Sequence, residues 1–168
     1  MVKLRAVVES DAETLFPLIY RSSVTDMLIW DGPSSFEEFR EALRDRAEQT
    51  RAGTLHAYAV VQESDGAPVG MIRIAPDAAN LSGDIGLWIG AAYHGRGYGT
   101  EAIRQVVEFG FEQAGLHRLE ARVFVGNMAS RRAFEKNGFA LEGTLRDVVR
   151  KRGRFLDEWV FGKVNGLR

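Results

Sequence analysis

Hydrophobic and polar positions along the chain change period several times, and each change marks an element. Val2 to Val8 is a short run rich in valine that reads as a strand. Ser10-Asp11-Ala12-Glu13 forms a capping box for a helix through about Arg21. After a connecting stretch from Ser22 to Pro33, Ser34 and Glu37 cap a second helix reaching about Ala52, with Phe36, Phe39, Leu43 and Ala47 at helical spacing. Period two returns in Leu55 to Gln62 and Pro68 to Ala75, two strands joined by the hairpin signal Ser64-Asp65-Gly66. Leu81 to Gly90 is the next strand. It places Ile85, Leu87 and Ile89 on one face and Asp84, Gly86, Trp88 and Gly90 on the other.

Thr100 to Ala114 has the period of a helix with Ile103, Val106, Val107 and Phe111 facing inward, and His117 to Val125 that of a strand. Together with the strand before them they form a β-helix-β crossover, which should be right-handed with parallel strands. A short helix from Asn127 to Lys136 follows, then two antiparallel strands, Phe139 to Arg150 and Arg154 to Val164, around Lys151-Arg152-Gly153. The pattern predicts one mixed α/β domain over residues 1–168: a central, mainly antiparallel sheet with one parallel pair and helices on both faces.

Composition narrows the chemistry. The absence of cysteine removes disulfides, thiolate metal sites and an acyl-cysteine intermediate, and fits a reducing cytoplasm. A formal charge of −1 supplies no general field for nucleic acid, and no segment reaches the roughly 18 apolar residues of a membrane span. His56, His94 and His117 are scattered without metal-ligand spacing, so no metal site is expected. Arg146, Arg150, Lys151, Arg152 and Arg154 cluster at the last hairpin, where a solvated tip is the simplest expectation.

One stretch stands apart. Tyr93 to Glu101 reads Tyr-His-Gly-Arg-Gly-Tyr-Gly-Thr-Glu, with glycines at 95, 97 and 99 between a strand and a helix. Glycines there let the backbone turn tightly, and their amides join the free N–H groups of the helix start in a donor array suited to phosphate. Gly97, Gly99 and Ala102 also fit a dinucleotide fingerprint, with Glu120 downstream as a ribose contact. A dinucleotide fold, however, needs repeated βαβ units, and no second crossover follows.

The wider run of motifs points elsewhere. Ile85-Gly86-Leu87-Trp88-Ile89, the stretch from Tyr93 to Ala102, Asn127-Met128-Ala129-Ser130, Asn137-Gly138-Phe139 and Glu142-Gly143 together resemble the GCN5-related N-acetyltransferases. The subgroup most similar is the ribosomal-protein N-terminal (alanine) acetyltransferases. One departure is that His94 stands where the family usually has Gln or Arg, with Arg96 the candidate for the missing charge.

The resemblance implies a direct, acetyl-CoA-dependent transfer to a primary amine, with a protein or peptide N-terminus as leading acceptor and a polyamine or antibiotic as runner-up. It implies that the pantetheine arm pairs with backbone near Leu87, Trp88 and Ile89. His94, Gly95, Arg96, Gly97, Tyr98, Gly99 and Thr100 would hold the phosphates, with Asn127 on the cofactor or acceptor. Arg131 and Arg132 would either reach a coenzyme A phosphate or favour solvent. A homodimer is a family possibility, and an idle acyl-CoA-binding module is the rival from another class.

Acetyl transfer needs a neutral amine, a stabilised oxyanion and help for the departing thiolate. Asp84, on the face of Gly86 and Trp88, is the first candidate for the base. In the subgroup a glutamate on the strand after the Asn-x-x-Ser helix is thought to serve, and Val149 holds that register here, with Asp147 on the same strand face as a substitute. By resemblance Ser130 donates to the sulfur; otherwise Asn127 is an N-cap and Ser130 an ordinary first-turn residue. Trp30 and Asp31, in the segment that lines the acceptor pocket in the family, are candidates for substrate contact, or Trp30 staples the loop to the core.

Overall fold

The computed structural model describes residues 1–166. Seven strands, β1 (Val2–Ala6), β2 (His56–Gln62), β3 (Pro68–Asp77), β4 (Ser82–Ile89), β5 (Arg118–Phe124), β6 (Ala140–Lys151) and β7 (Arg154–Val164), form one sheet. Their order is β1-β2-β3-β4-β5-β7-β6, and β4 with β5 is the parallel pair in an otherwise antiparallel sheet. The expected architecture is therefore the observed one.

Strand alternation sorts the core into two layers. Ile72, Ile74, Ile85 and Leu119 pack with Ile103 and Val106 of α3 (Tyr98–Glu108) and Phe134 of α4 (Met128–Lys136). On the opposite face Ala57, Met71 and Trp88 meet Leu15 of α1 (Ala12–Ile19) and Phe39 and Leu43 of α2 (Phe36–Ala52). Phe39 and Leu43 are fully buried, and each contributes roughly 1.5–3 kcal/mol by leaving water.

Element ends differ from expectation for local reasons. β1 stops at Ala6 because Asp11 turns its carboxylate back, accepting from the Val8 amide at 2.9 Å and from Arg5. This contact replaces the capping box expected from Ser10, and α1 ends at Ile19, with Arg21 at φ 50°. The cap of α2 lies one residue further on than Ser34 and Glu37. Ser35 Oγ accepts from the Glu38 amide, and the Glu38 carboxylate reaches back to the amide and hydroxyl of Ser34. Paired serines followed by paired glutamates made both registers readable. α3 begins at Tyr98, two residues early, directly after Gly97 at φ 79°.

The ribbon of β6 and β7 departs most. Leu145 opposes Glu158 and Val149 opposes Leu156, so three residues of β6 face one of β7. The surplus forms a bulge with Asp147 at φ 53°, its amide donating to Asp157 Oδ1 at 2.8 Å. The expected strand-face relation of Asp147 to Val149 is broken there. At the tip, Lys151 is buried and donates to Asp31 at 2.6 Å and to the Trp30 carbonyl at 3.4 Å. Arg152 meets Asp26 at 2.7 Å. The tip is thus docked on the loop after α1, which corrects the expectation that the whole basic cluster is solvated.

Candidate active site

Pairing between β4 and β5 covers Ser82 to Asp84 against Arg118 to Glu120, and then the strands part. Both continue, β4 to Ile89 and β5 to Phe124. Backbone direction along β4 follows from its ends. The Leu81 carbonyl accepts from His117 and Arg118 on the β5 side, whereas the Gly90 amide donates to Val69 on the β3 side. By alternation the peptide groups of Ile85, Leu87 and Ile89 point into the opening between the strands, unmatched by β5.

At the far end of β4 lies the glycine loop. Gly95 and Gly97 adopt φ 76° and 79°, the left-handed region, where other residues are strained. The first intrahelical bond of α3 runs from the Glu101 amide to the Gly97 carbonyl, so the amides of Tyr98, Gly99 and Thr100 have no acceptor within the helix. Gly99 lies over Leu87, where an added Cβ would sit 3.4 Å from its side chain. His94 Nε2 is 2.7 Å from the Ile89 carbonyl, which can only accept, so Nε2 carries the proton and ties loop to strand. Arg96 donates to Ala92 O and lies over the Tyr93 ring, and Tyr98 donates to Gln62. The residues expected to hold phosphate thus lie together on the loop that follows β4 and opens α3.

A cavity of about 540 Å³ passes through the opening, with Leu87, Trp88, Val123 and Phe124 among its walls. Asn127 and Ser130 border it at the start of α4. Asn127 Oδ1 accepts from the Ser130 amide at 3.2 Å, so the N-cap role is real, and both residues still face the cavity. Trp30 lines it too while stacking on Phe39, so stapling and cavity lining coexist. Asp31 is absent from its walls. The Lys151 ammonium engages it instead and holds its carboxyl below the usual value. Arg131 stacks over Trp159 and pairs with Glu135, and Arg132 has no described anionic partner.

Three carboxylates border the cavity, and they differ in what they can do. Asp84 lies beside Glu120 at the point where the strands part, and Arg73 binds its carboxylate at 3.0 Å and its carbonyl at 3.3 Å. Gly86 makes room for that, because a Cβ there would come 3.0 Å from Arg73 Nε. The space beside Trp88 left by the glycine is therefore filled by an arginine of the protein. Asp84 is half-exposed and matched, which fits a structural ion pair better than a free base. Glu120 pairs with Arg118 at 3.4 Å.

Glu158, absent from the sequence-based candidates, is the third. It is 1 % exposed, its Oε2 has no hydrogen-bond partner, and the nearest cation is Arg122 at 3.9 Å. Burial raises its pKa above the ordinary 4.5, Arg122 opposes this, and the charge of Asp84 adds to it. β7 places it opposite Phe124 and thus on the cavity face of the sheet. The signal was present in Leu156, Glu158 and Val160, which put an acid on an apolar phase of a strand. Val149 and Asp147 do not reach the cavity. Among the described residues no group of three or more His, Asp or Glu could hold a metal ion.

Residues 2–140 match the family described as acetyltransferase (GNAT) domain. The chain belongs to the GNAT acetyltransferases. It is an acetyl-CoA-dependent N-acetyltransferase, as the sequence motifs implied. It is similar to YdaF of Bacillus subtilis (strain 168), named as a candidate ribosomal N-acetyltransferase, with 30 % identity over 93 % of this chain and 87 % of that protein. Its fold is that of RimL, a ribosomal L7/L12 α-N-protein acetyltransferase solved with coenzyme A, at TM-score 0.89 and 21 % identity over 97 % and 93 % of the two chains. A spermidine N-acetyltransferase from Vibrio cholerae, solved with CoA and spermine, overlays with TM-score 0.85 at 19 % identity over 97 % and 95 %. In this GNAT acetyltransferase the glycine loop follows β4 directly, at the far end of the opening between β4 and β5.

Proposed function

We propose that this acetyltransferase modifies the α-amine of a protein or peptide N-terminus by direct transfer in a ternary complex, in the cytoplasm. The observation that carries the reading is the unpaired, buried carboxylate of Glu158 in the same cavity as Ser130. Acetyl-CoA supplies the activated acetyl group. The free amides of the glycine loop and the start of α3 would hold its phosphates, and the peptide group of Leu87 and the amide of Ile89, unmatched by β5, would pair with its arm.

Glu158 Oε2 takes the proton that the amine must lose as its nitrogen bonds to the acetyl carbon and the carbon-sulfur bond breaks. Ser130 donates a hydrogen bond to the sulfur that leaves. An α-amine with pKa about 8 is roughly 10 % neutral at pH 7, so a single carboxylate is adequate to complete its deprotonation. A polyamine fits worse at Arg46, which borders the same cavity without an ion pair and would repel a second ammonium placed beside it. At the mouth Met27 and Ile29 are exposed apolar side chains suited to the chain following an N-terminal residue.

The test is acetyl-CoA-dependent thiol release against N-terminal peptides, polyamines and aminoglycosides, with Ser130→Ala beside the parent. The reading expects release with peptides, reduced about tenfold or more in the variant, or ~1.4 kcal/mol of barrier. Release confined to polyamines would overturn it.

A further inference from the structure

Three arginines border the cavity, and one of them makes no ion pair with its walls. Arg73 is matched by Asp84 at 3.0 Å, and Arg122 lies 3.9 Å from Glu158. Arg46, from the middle of α2, borders the same space with no ion pair or side-chain hydrogen bond among the described residues. Burial, and after it the like charge of Arg73, lower its pKa from the ordinary value. A guanidinium nevertheless stays protonated in proteins, so the charge persists and calls for an anion.

A phosphate of the coenzyme is not that anion. The free amides suited to phosphate lie at the glycine loop and the start of α3, which pack on the opposite face of the sheet from α2. No residue of that loop borders the cavity. Arg46 shares the α2 face with Arg73, Trp88 and Glu158, since Arg73 opposes Gly86 and Met71 opposes Trp88 across the β3-β4 pair. The anion must arrive with the acceptor.

We infer that the acceptor carries a carboxylate on the same residue as its reactive amine, the amine directed to Glu158 and the carboxylate held by Arg46. This rests on the reading of the cavity as the acceptor site and narrows it. The carboxylate has two possible sources: the side chain of an acidic N-terminal residue of a peptide, or the α-carboxylate of a free amino acid. Guanidinium and carboxylate match as a planar two-bond pair, and away from bulk water that pairing discriminates strongly against a neutral isostere.

Thiol release with the full chain separates these cases. One arm compares C-terminally amidated peptides beginning with Asp and with Asn, and the other compares L-alanine and L-methionine with their carboxamides. In the parent protein the charged member of at least one arm should exceed its neutral counterpart about tenfold or more in kcat/KM. The ratio should fall below about threefold in Arg46→Gln and recover partly in Arg46→Lys, which restores charge without the planar fork. Arg46 makes no bond that the fold relies on, so both variants should fold, and a melting scan confirms it. Equal use of charged and neutral members by the parent, or a preference that persists in Arg46→Gln, overturns the inference while leaving N-acetylation intact. Absence of release with every peptide and amino acid overturns the acceptor-site reading and the inference together.

Discussion

Replacing Glu158 by Gln should move stability and activity in opposite directions. The carboxylate is 1 % exposed with one oxygen unpaired, and an unsatisfied buried polar group costs about 1–3 kcal/mol. Arg122 at 3.9 Å, itself half in solvent, offsets part of this, so a gain near the low end, ~1 kcal/mol, is expected for the neutral amide. For a chain of this size that is a rise of about 2–4 °C in Tm. The sign depends on pH. Because folding raises the Glu158 pKa, the native state holds the proton more tightly than the unfolded chain, and its charged form becomes a penalty as pH rises through the folded value. The advantage of Gln should therefore vanish below the ordinary value of 4.5 and be complete above the raised one.

Activity should fall. A positioned base contributes ~10²–10⁴-fold, and an acceptor that is already partly neutral places the expected loss near 10², or ~2.7 kcal/mol of barrier. Urea or thermal melts at acid and neutral pH, with kcat/KM by thiol release against pH, measure both. The parent should also lose on the acid side of the profile an ionisation that the variant lacks. A variant that is more stable yet within about fivefold of parental kcat/KM would refute the role of Glu158 as proton acceptor.

Gly97→Ala meets nothing within 4 Å, so its cost is backbone strain alone, about 1–2 kcal/mol at φ 79°. Its KM for acetyl-CoA should rise, and an unchanged KM in a folded variant would remove the loop from the cofactor site. Gly86→Ala forces Arg73 aside and should raise the acceptor KM by about threefold or more with kcat little changed, a split read from steady-state kinetics. Lys151→Met should unseat the loop carrying Trp30, seen as faster proteolysis within Ser22 to Pro33. The same docking should be acid-sensitive: folding lowers the Asp31 pKa, so the stability it adds is present above 3.8 and lost as pH falls through the depressed value, as proteolysis against pH would show.

The strands, their one parallel pair, the helices on both faces and the glycine loop were legible because alternation, helical period and glycine spacing are local properties of the chain, whereas the order of β7 between β5 and β6 was not. Asp84 was legible as a residue of the parting point, but its partner was not. Arg73 comes from an adjacent strand, and only the register of β3 on β4 puts it across Gly86. Lys151 looked like part of a solvated tip because sequence shows charge and not the carbonyl of Trp30 waiting 121 positions away. Asp147 failed as a substitute base for a related reason. The bulge that displaces it is a count of residues on one strand against another, and the sequence of either strand alone does not contain it. Glu158 was visible as an acid among apolar residues in a strand, and its meaning came from the two strands that converge on it.

The opening between β4 and β5 places two strand edges in the middle of a sheet instead of at its rim, where charges and bulges ordinarily blunt them. Such edges can recruit a strand from another molecule as readily as they receive a ligand. With acetyl-CoA seated there as proposed above, cofactor supply should act on solubility: at ligand concentrations a hundredfold above Kd, occupancy would add about 2.7 kcal/mol to the folded state and close the seam to other chains. Growth conditions that deplete acetyl-CoA should therefore lower the soluble yield of this protein without any change to its sequence, and added coenzyme A should restore it.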